Sequence, residues 1–399
     1  MAVVLVVTGA AVSPQGDPLE PRPPDTVWTA TAEPGRAPGL WVLGERAVVT
    51  TANAVIAFDP TTGDPAWTLD LDDPACTATA ETLTCVHGEG EDASIATIDP
   101  EGAATELPFP GADVAGSAGA DVIVAGGTAG EDPWFGRFTT TSGSPDPVWQ
   151  YSDAYVSGAG IRWNGATVSQ GIATVSSAGG ETGVDGAGPV DAGASLAADL
   201  ETGEPRPAVV STSGTTMVST YGDIADQWDQ IVQPMAGPEP AVPGHPEVVF
   251  TNRGAFDAYG GSRILEYLGS PLTAVGDDVV VAGPHPDATT FPEEGVDVDV
   301  AIRIESLDVP TGETRWQLDR DQLVGCPCAV SHETLVMSES TYTDVENFII
   351  SPVALLGVDL DSGRHEWSLP ISTVPDAIAA GGDRAYVLTG STLTAYEDR

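Results

Sequence analysis

A nine-residue phrase with an aspartate, a glycine and a tryptophan at fixed spacing recurs along this 399-residue chain. Asp308 to Trp316 has the sequence DVPTGETRW, and DPTTGDPAW and DLDSGRHEW repeat its pattern. A weaker copy, DLETGEPRP, has Pro207 in place of the tryptophan. Because self-similarity of this kind is typical of repeat architectures, the phrase constrains the fold more than any other feature. The positions concerned are Asp59, Gly63 and Trp67; Asp199 and Gly203; Asp308, Gly312 and Trp316; and Asp359, Gly363 and Trp367.

The residue types in this phrase predict a structural role. An aspartate carboxylate at the start of a turn accepts hydrogen bonds from turn N–H groups, and glycine adopts the positive φ that such a turn requires. The large apolar ring of the tryptophan is expected to pack between neighbouring units, where its N–H can meet a backbone carbonyl. The phrase therefore predicts a fastener between repeated units. Function is expected in the units where the phrase is absent or interrupted, which are the second, fourth and fifth of the units counted below.

Each full unit also contains a hairpin of two short apolar strands. TAVGDDVVVAG, GSAGADVIVAG and AAGGDRAYVLTG carry the Gly- and Asp-containing turn of a tight antiparallel connection. A third strand such as AVIAFD precedes the phrase, and a fourth opens on its tryptophan. Gly312 and Gly363 are 51 residues apart. Trp67 and Trp149 are 82 residues apart, which is twice a period of roughly 41 residues. Four-stranded units at this period predict the blades of an all-β propeller.

Counting the units along the chain predicts eight blades. The last unit contains three strands, and the segment around Trp28 is expected to supply its fourth strand from the other end of the chain, which would close the ring. Seven blades are the alternative, because the fourth and fifth units carry long insertions. The second unit lacks the tryptophan. The predicted units span residues 40–71, 75–109, 112–152, 155–210, 211–270, 271–321, 324–371 and 374–397.

The hairpin followed by A-x-D-x3-G-x3-W, as in Ala57 to Trp67, resembles the repeat of the PQQ-like (quinoprotein alcohol dehydrogenase-like) β-propeller family. The resemblance covers residues 26–397. The family includes quinoprotein alcohol dehydrogenases, which bind a quinone and Ca²⁺ in the central channel, and the propeller lipoprotein of the bacterial outer-membrane assembly machine. With its apolar N-terminus and acidic linker, the chain resembles the non-enzymatic exported propellers of actinobacteria.

The charge of the chain is strongly negative. It has 59 acidic residues against 14 basic ones, all of them Arg, and a formal net charge of −45. A chain without a basic patch cannot displace counterions from nucleic acid and is repelled by anionic membrane surfaces, so we expect neither as a partner. The acidity indicates either a solubilising surface of a salt-adapted or high-GC organism or a surface that attracts cations and basic partners.

The N-terminal sequence MAVVLVVTGAAVSPQ is apolar and gives way to an acidic, Pro-rich stretch. It is too short to span a membrane and lacks the positive region of a signal peptide. We expect residues 1–25 to be the remnant of a signal peptide or membrane anchor, with its start upstream of Met1, followed by a linker. A disordered cytoplasmic stub is the alternative. Export would place residues 26–399, expected to form a single propeller domain, outside the cytoplasm, secreted or anchored at the cell surface.

The four cysteines are predicted to form two disulfides. Cys76 and Cys85 lie opposite each other on the hairpin CTATAETLTC. Cys326 and Cys328 are separated only by Pro327 and are expected to form a second, tighter bridge. An even number of cysteines is typical of exported chains. A metal site is the competing hypothesis, but C-P-C lacks the two-residue spacing of zinc knuckles.

The sequence contains no catalytic signature, and we expect no catalytic, cofactor-binding or metal-binding residue. Without lysine there is no G-K-[ST] phosphate loop or Schiff-base residue, and neither H-E-x-x-H nor G-x-S-x-G occurs. The acidic clusters Asp70–Asp73 and Glu293–Asp299 suit Ca²⁺ but are expected to be solvated faces. The adjacent cysteines and catalytic Asp of the quinoprotein enzymes match no position here, and C-P-C departs from that pattern. PQQ and Ca²⁺ are the alternative cofactors.

These expectations favour a non-catalytic, extracytoplasmic, monomeric propeller that binds a protein, peptide or glycan. The inserted loops at 178–193 and 222–246 are its expected contact surfaces, because loops gather on the two faces of a propeller while strands build its core. The alternatives are a PQQ-dependent oxidoreductase with a site in the central channel and, by analogy of fold alone, a scaffold for envelope protein assembly.

Overall fold

A computed structural model describes most of the chain, in which β-strands dominate and one short 3-10 helix lies at Gly90–Asp92. No helix in the described part has the length and apolar character that spanning a bilayer requires. Residues 1–21, which make up most of the expected anchor remnant and linker, are not among the described residues. The described residues are 22–33, 39–79, 81–127, 134–140, 143–152, 162–169, 172–178, 195–204, 209–212, 215–218, 229–231, 248–251, 254–257, 263–285, 302–331, 333–344 and 349–397.

Strand β1 (Thr26–Thr31) belongs to the last sheet, and the next twelve strands form three antiparallel sheets of four strands each, in chain order. The first sheet is β2 (Leu40–Leu43), β3 (Arg46–Thr50), β4 (Ala54–Phe58) and β5 (Pro65–Asp70). The second is β6 (Ala75–Ala78), β7 (Leu83–His87), β8 (Ser94–Ile98) and β9 (Ala104–Pro108). The third is β10 (Ala112–Ala118), β11 (Asp121–Gly126), β12 (Trp134–Thr139) and β13 (Asp146–Ser152).

The fourth and fifth sheets depart from four strands within the described residues. The fourth contains β14 (Arg162–Ser169), β15 (Ile172–Ala178) and β16 (Ser195–Asp199). The fifth contains β17 (Val209–Thr212), β18 (Thr215–Val218), β19 (Asp229–Ile231), β20 (Val248–Thr251), β21 (Gly254–Asp257) and β22 (Arg263–Glu266).

The last three sheets return to four strands. The sixth is β23 (Ser270–Val275), β24 (Asp278–Pro284), β25 (Ile302–Asp308) and β26 (Thr314–Arg320). The seventh is β27 (Leu323–Val330), β28 (Thr334–Asp344), β29 (Ile349–Asp359) and β30 (His365–Pro370). The eighth is β31 (Ala377–Gly381), β32 (Arg384–Thr389) and β33 (Thr392–Glu397), completed by β1.

Closure of the ring by the N-terminal strand is confirmed. Strand β1 pairs antiparallel with β33, and Trp28 lies opposite Ala395. The ring of Trp28 stacks on Phe58 of the first sheet and contacts Tyr386 of the eighth. The two ends of the chain therefore share one sheet, so the first and last blades do not expose unpaired edges to each other.

The hydrophobic core lies between the blades. Second strands such as β11 and β24 are buried along nearly their whole length, because both of their faces are covered by neighbouring sheets. Separate buried clusters join the eighth blade to the first, the first to the second, and so on around the ring; they are described for every neighbouring pair except the fourth and fifth. Burial on two faces explains why these strands are continuous apolar runs.

The predicted boundary between units four and five was wrong. Residues 209 and 210 were assigned to unit four, but Val209–Thr212 pairs with β18 in the fifth sheet, and the fourth sheet shows three strands within the described residues. Here Pro205 and Pro207 follow the turn where other units place a tryptophan-bearing strand. The local pattern does not specify the edge with which Val209–Thr212 pairs, and the pairing with β18 assigns this strand to the fifth sheet.

Candidate functional site

The carboxylates of the repeated phrase bind their own turns. Oδ1 of Asp59 accepts hydrogen bonds from the backbone N–H groups of Thr61 (2.8 Å) and Thr62 (3.0 Å), and Oδ1 of Asp199 accepts them from Glu201 (3.1 Å) and Thr202 (2.8 Å). In the other two copies, Asp308 accepts from the Thr311 N–H at 2.9 Å, and Asp359 accepts from the Ser362 N–H at 2.7 Å. The glycine has a positive φ in all four copies, at Gly63 (74°), Gly203 (71°), Gly312 (72°) and Gly363 (68°).

Tryptophans near the start of the fourth strand reach across to the turn of the next blade. Trp316 Nε1 donates to the Leu360 carbonyl of the seventh blade at 2.5 Å, and its ring lies against Gly363. Trp28 makes the equivalent bond to Pro60 at 2.8 Å and lies against Gly63. The fastener is therefore assembled from two blades, with the ring supplied by one and the turn by the next. Trp367 is buried in the cluster between the seventh and eighth blades.

Three residues outside the predicted set belong to this system, namely Asp99, Gly102 and Trp149. Trp67 of the first blade donates to the Pro100 carbonyl at 3.1 Å and lies against Gly102, in a turn where Asp99 accepts hydrogen bonds from two backbone N–H groups. The segment IDPEG signals this turn, but with one residue fewer than the other copies. Trp149 donates to the Leu200 carbonyl at 2.8 Å, and so joins the turn of the weaker copy.

In the fifth blade an aliphatic side chain occupies the position of the tryptophan. Leu265 Cδ1 would lie 3.2 Å from a Cβ at Gly312, the turn glycine of the sixth blade. Leu265 is buried together with Val279 and Leu307 of the sixth blade. The chain thus keeps an apolar contact at this interface where the sequence lacks the aromatic residue.

Asp308 has an additional cation. Its Oδ2 accepts from Arg315 Nη2, while Arg315 Nε lies 3.2 Å from Asp278 Oδ1. The Thr311 hydroxyl, together with the Thr311 N–H and Arg315, holds the pKa of Asp308 below its usual value. Burial raises the pKa of Asp278. Arg315 therefore ties the Asp308 carboxylate to Asp278, at the hairpin turn of the same blade.

We expect Asp308→Asn to flatten part of the pH dependence of stability. A carboxylate whose folded pKa lies below its unfolded pKa stabilises the protein above about pH 4 and loses that contribution as pH falls through the folded value. The gap in unfolding free energy between wild type and variant should therefore be constant near neutral pH and close in acid. Urea unfolding at a series of pH values measures it. Asp361→Asn, at an exposed position in the neighbouring turn, is the control, and a gap that widens in acid would contradict the assignment.

A second charged group lies between the sixth and seventh blades. The Glu339 carboxylate, whose side chain is 5% exposed, accepts hydrogen bonds from Arg320 Nε at 2.9 Å and Nη2 at 2.6 Å. His365 Nδ1 is 3.5 Å from Arg320 Nη1, and burial, aided by this guanidinium, lowers the pKa of His365. The buried carboxylate is paired by two bonds to one guanidinium, which favours a role in orienting the two blades.

Both predicted cysteine pairs are joined in the structure. Cys76 on β6 bonds to Cys85 directly opposite on β7, and Cys85 is fully buried. Cys326 bonds to Cys328 within β27, where Cys326 is exposed. Both bridges include the first strand of a blade, and first strands contact one another around the ring, as β31 does with β2 and β27. Within the described residues, no group of three or more His, Cys, Asp or Glu side chains is placed to hold a metal ion.

The two faces of the ring differ in their connections. In a four-stranded antiparallel blade, the turn between strands three and four and the hairpin between strands one and two share one face, and the connection between strands two and three leaves from the other. The Asp–Gly turns thus share the first face, here called the turn face. Connections after β11, β15 and β24 leave from the opposite face, here called the connection face. The residues of those three connections that lie outside the described part are 128–133, 179–194 and 286–301.

The predicted contact loops lie mostly outside the described residues. Of 178–193 only Ala178, the end of β15, is described, and of 222–246 only Asp229–Ile231, which is β19. The acidic cluster Glu293–Asp299 also lies outside, whereas Asp70–Asp73 ends β5 and begins the connection to β6.

Comparison with known proteins bears on the fold and the family. A family model described as outer membrane protein assembly factor BamB matches residues 19–227. No curated protein matches the chain. Three solved structures are similar. BamB from Moraxella catarrhalis is 13% identical, with 94% of this chain and 99% of that chain covered and a TM-score of 0.49. Quinohemoprotein alcohol dehydrogenase ADHIIG from Pseudomonas putida HK5 is 11% identical, with 94% of this chain and 76% of that chain covered and a TM-score of 0.48. Sqt1 from Saccharomyces cerevisiae is 9% identical, with 95% of this chain and 100% of that chain covered and a TM-score of 0.53. At these identities the likeness concerns the fold alone.

Proposed function

Because this chain belongs to the family described as outer membrane protein assembly factor BamB, we propose that it is a non-catalytic binding and scaffold propeller that acts outside the cytoplasm on protein partners. Residues 26–399 form one binding domain in this proposal. The relative named in the family description is an assembly factor, so the class of partner proposed is a protein of the cell envelope.

One observation carries this proposal: the two faces of the ring differ in their turns and connections. On the turn face, side chains such as Trp316 and Asp308 are engaged in contacts within and between blades. On the connection face, the chain leaves β15 at Ala178 and returns at Ser195, and leaves β24 at Pro284 and returns at Ile302. Long connections on a rigid scaffold are the usual place for binding residues, so partners are proposed to bind the connection face.

The charge of the chain indicates the character of the partner. The connection after β7 carries Glu89, Glu91 and Asp92, all exposed, and contains no basic residue. With a net charge of −45, association with a basic protein surface is accelerated at low salt, and binding weakens as salt rises.

A matched pair of triple variants tests the assignment of the face. Glu89→Gln, Glu91→Gln and Asp92→Asn remove three exposed charges from the connection face; Asp64→Asn, Glu101→Gln and Glu313→Gln remove three from the turn face. Envelope proteins captured by the full chain at low salt are quantified by mass spectrometry. We expect the first variant to lower recovery of the partner by about tenfold, as weakened charge complementarity predicts, and the second to leave it unchanged. Equal loss from both would contradict the assignment.

The quinone-dependent alternative has weaker support. PQQ carries three carboxylates. Leaving the fifth blade aside, the first strands of the other seven blades contain one basic residue, Arg162, at the start of β14. A tricarboxylate bound in the central channel needs more cations than this to offset its desolvation. Purified protein supplied with PQQ, Ca²⁺ and an alcohol is expected not to reduce an acceptor dye. Cofactor-dependent reduction would overturn the non-catalytic proposal.

A further inference from the structure

We propose that the Cys326–Cys328 disulfide is a thiol–disulfide exchange site that oxidises the dithiol of a polypeptide substrate. The bridge lies on β27, the first strand of the seventh blade, and encloses a single residue, Pro327. Cys326 is exposed, whereas Cys328 is half-buried with its Sγ 3.4 Å from the Leu272 carbonyl of the sixth blade. This proposal does not depend on the binding role given above.

The bridge lies outside the strand ladder. Strand β27 pairs with β28 through Gly325 and Ser338, and pairing resumes at Ala329 and Val336, so three residues of β27 face the single Met337. Met337 is itself buried and paired to Leu356. The Ser338 hydroxyl donates to the Gly325 carbonyl at 2.9 Å, which holds the chain just before the bridge. Opening the bridge therefore removes no ladder bond, and the blade can keep its fold in both redox states.

The unequal exposure of the two cysteine residues, Cys326 exposed and Cys328 half-buried, sets the direction of attack. A substrate thiolate attacks Sγ of Cys326, the S–S bond breaks, and Sγ of Cys328 leaves with the electron pair and is then protonated. The second substrate thiolate attacks the substrate sulfur of the mixed disulfide, and Cys326 leaves as a thiolate. The substrate dithiol is oxidised to a disulfide, and Cys326 and Cys328 are reduced to two thiols. Two electrons and two protons pass to the protein, which matches the chemistry of exchange through mixed disulfides.

The other bridge of the chain shows what a structural disulfide looks like here. Cys76 and Cys85 are a directly opposed pair in the ladder of β6 and β7, and Cys85 has no exposed surface. The Cys76–Cys85 bridge also closes a longer loop, with a sequence separation of 9 against 2 for Cys326–Cys328, so it restricts the unfolded chain more. The Cys326–Cys328 bridge closes a very small loop and includes an exposed cysteine, so it is poorly suited to stabilisation and well suited to reaction.

The charge of the protein restricts the substrate class. A net charge of −45 repels anionic thiols and favours neutral or basic ones. The proposed substrate is therefore a neutral or basic polypeptide segment with two cysteines. Glutathione, which is anionic at neutral pH, is expected to react more slowly than a cationic thiol such as cysteamine, and the difference should shrink in high salt.

Limited reduction of the folded chain tests the site. The protein is treated with low dithiothreitol, quenched by alkylation and digested for mass spectrometry. We expect Cys326 and Cys328 to be alkylated at least about tenfold faster than Cys76 and Cys85, as site-selective exchange at an accessible sulfur predicts. A reduced basic peptide with two cysteines should then become oxidised as the same bridge opens. Equal rates at the two bridges, or reduction only on unfolding, would overturn the proposal.

Two single variants test the assignment of the attacked sulfur. Cys328→Ser leaves Cys326 as a free thiol, and Cys326→Ser leaves Cys328. With the neutral reagent dithiodipyridine, Cys326 should react at least about tenfold faster than Cys328, since access controls the rate. Melting temperatures close to wild type for both variants establish that each is folded. A faster reaction at Cys328, or a collapse of the melting temperature in both variants, would show that the bridge is structural.

Discussion

Replacing Trp316 with alanine is expected to lower the free energy of unfolding by about 3–5 kcal/mol, the usual cost of truncating a large buried aromatic side chain. Trp316 is only 7% exposed and is buried with Leu272 and Leu335, so its removal leaves a cavity between the sixth and seventh blades. The substitution also leaves the Leu360 carbonyl without its N–H donor. Both losses fall on the interface between the sixth and seventh blades, and the ring closes only if each such interface holds.

Chemical unfolding of two companion variants separates these contributions. Trp316→Phe retains most of the apolar ring but not the N–H, so its stability should lie between those of the wild type and Trp316→Ala. Val374→Ala, at a position 41% exposed, should change stability by no more than about 0.5 kcal/mol, as surface substitutions usually do. An unchanged unfolding midpoint for Trp316→Ala would show that the ring does not hold the blades together.

Gly363→Ala is expected to destabilise the protein by about 2–4 kcal/mol, from strain at positive φ together with overpacking. The φ of Gly363 is 68°, and a Cβ there would lie 2.5 Å from Cδ2 and 2.9 Å from Cγ of Trp316. The indole cannot withdraw, because its N–H is bound to Leu360 on the same turn. One methyl group would therefore separate the ring from the turn that receives it.

Two other glycines act as matched controls for this substitution. Gly382 has a similar φ of 61° but open space around its Cβ, so Gly382→Ala should cost only the backbone strain, about 1–2 kcal/mol. Gly312 faces Leu265 at 3.2 Å, a flexible side chain, so its cost should be intermediate. In thermal and chemical unfolding, the loss of stability should be largest for Gly363→Ala, intermediate for Gly312→Ala and smallest for Gly382→Ala. Equal costs at all three would show that only φ matters and that the tryptophan contact is incidental.

The blade architecture was accessible from sequence because its signals are local. A hairpin turn, an apolar run buried on both faces and a repeated phrase lie within one unit, and they predicted the eight sheets and their closure by the segment around Trp28. The boundary between the fourth and fifth sheets was not accessible. Whether Val209–Thr212 ends one sheet or begins the next depends on which edge it pairs with, and edges are brought together only by the fold.

The candidate sites divide in the same way. Turn chemistry at Asp59 or Asp359 depends on residues two to four positions away, which spacing specifies. The contact of Trp67 with the shortened turn at Gly102 joins two blades and involves a unit that lacks its own tryptophan, so no local pattern signals it. The pairing of Arg320 with buried Glu339 across two blades is equally invisible along the chain.

Periodicity, turn residues and charge can be read directly along the chain, and they were enough to predict an acidic ring of antiparallel blades joined by Asp–Gly turns and aromatic side chains. The packing of the blades sets which turn each tryptophan ring meets and which of the two disulfides contains an exposed cysteine. Cys85 and Cys326 are alike as residues, yet one is enclosed between blades and the other stands outside its ladder. Burial is a property of the packed blades, and no spacing of cysteines encodes it.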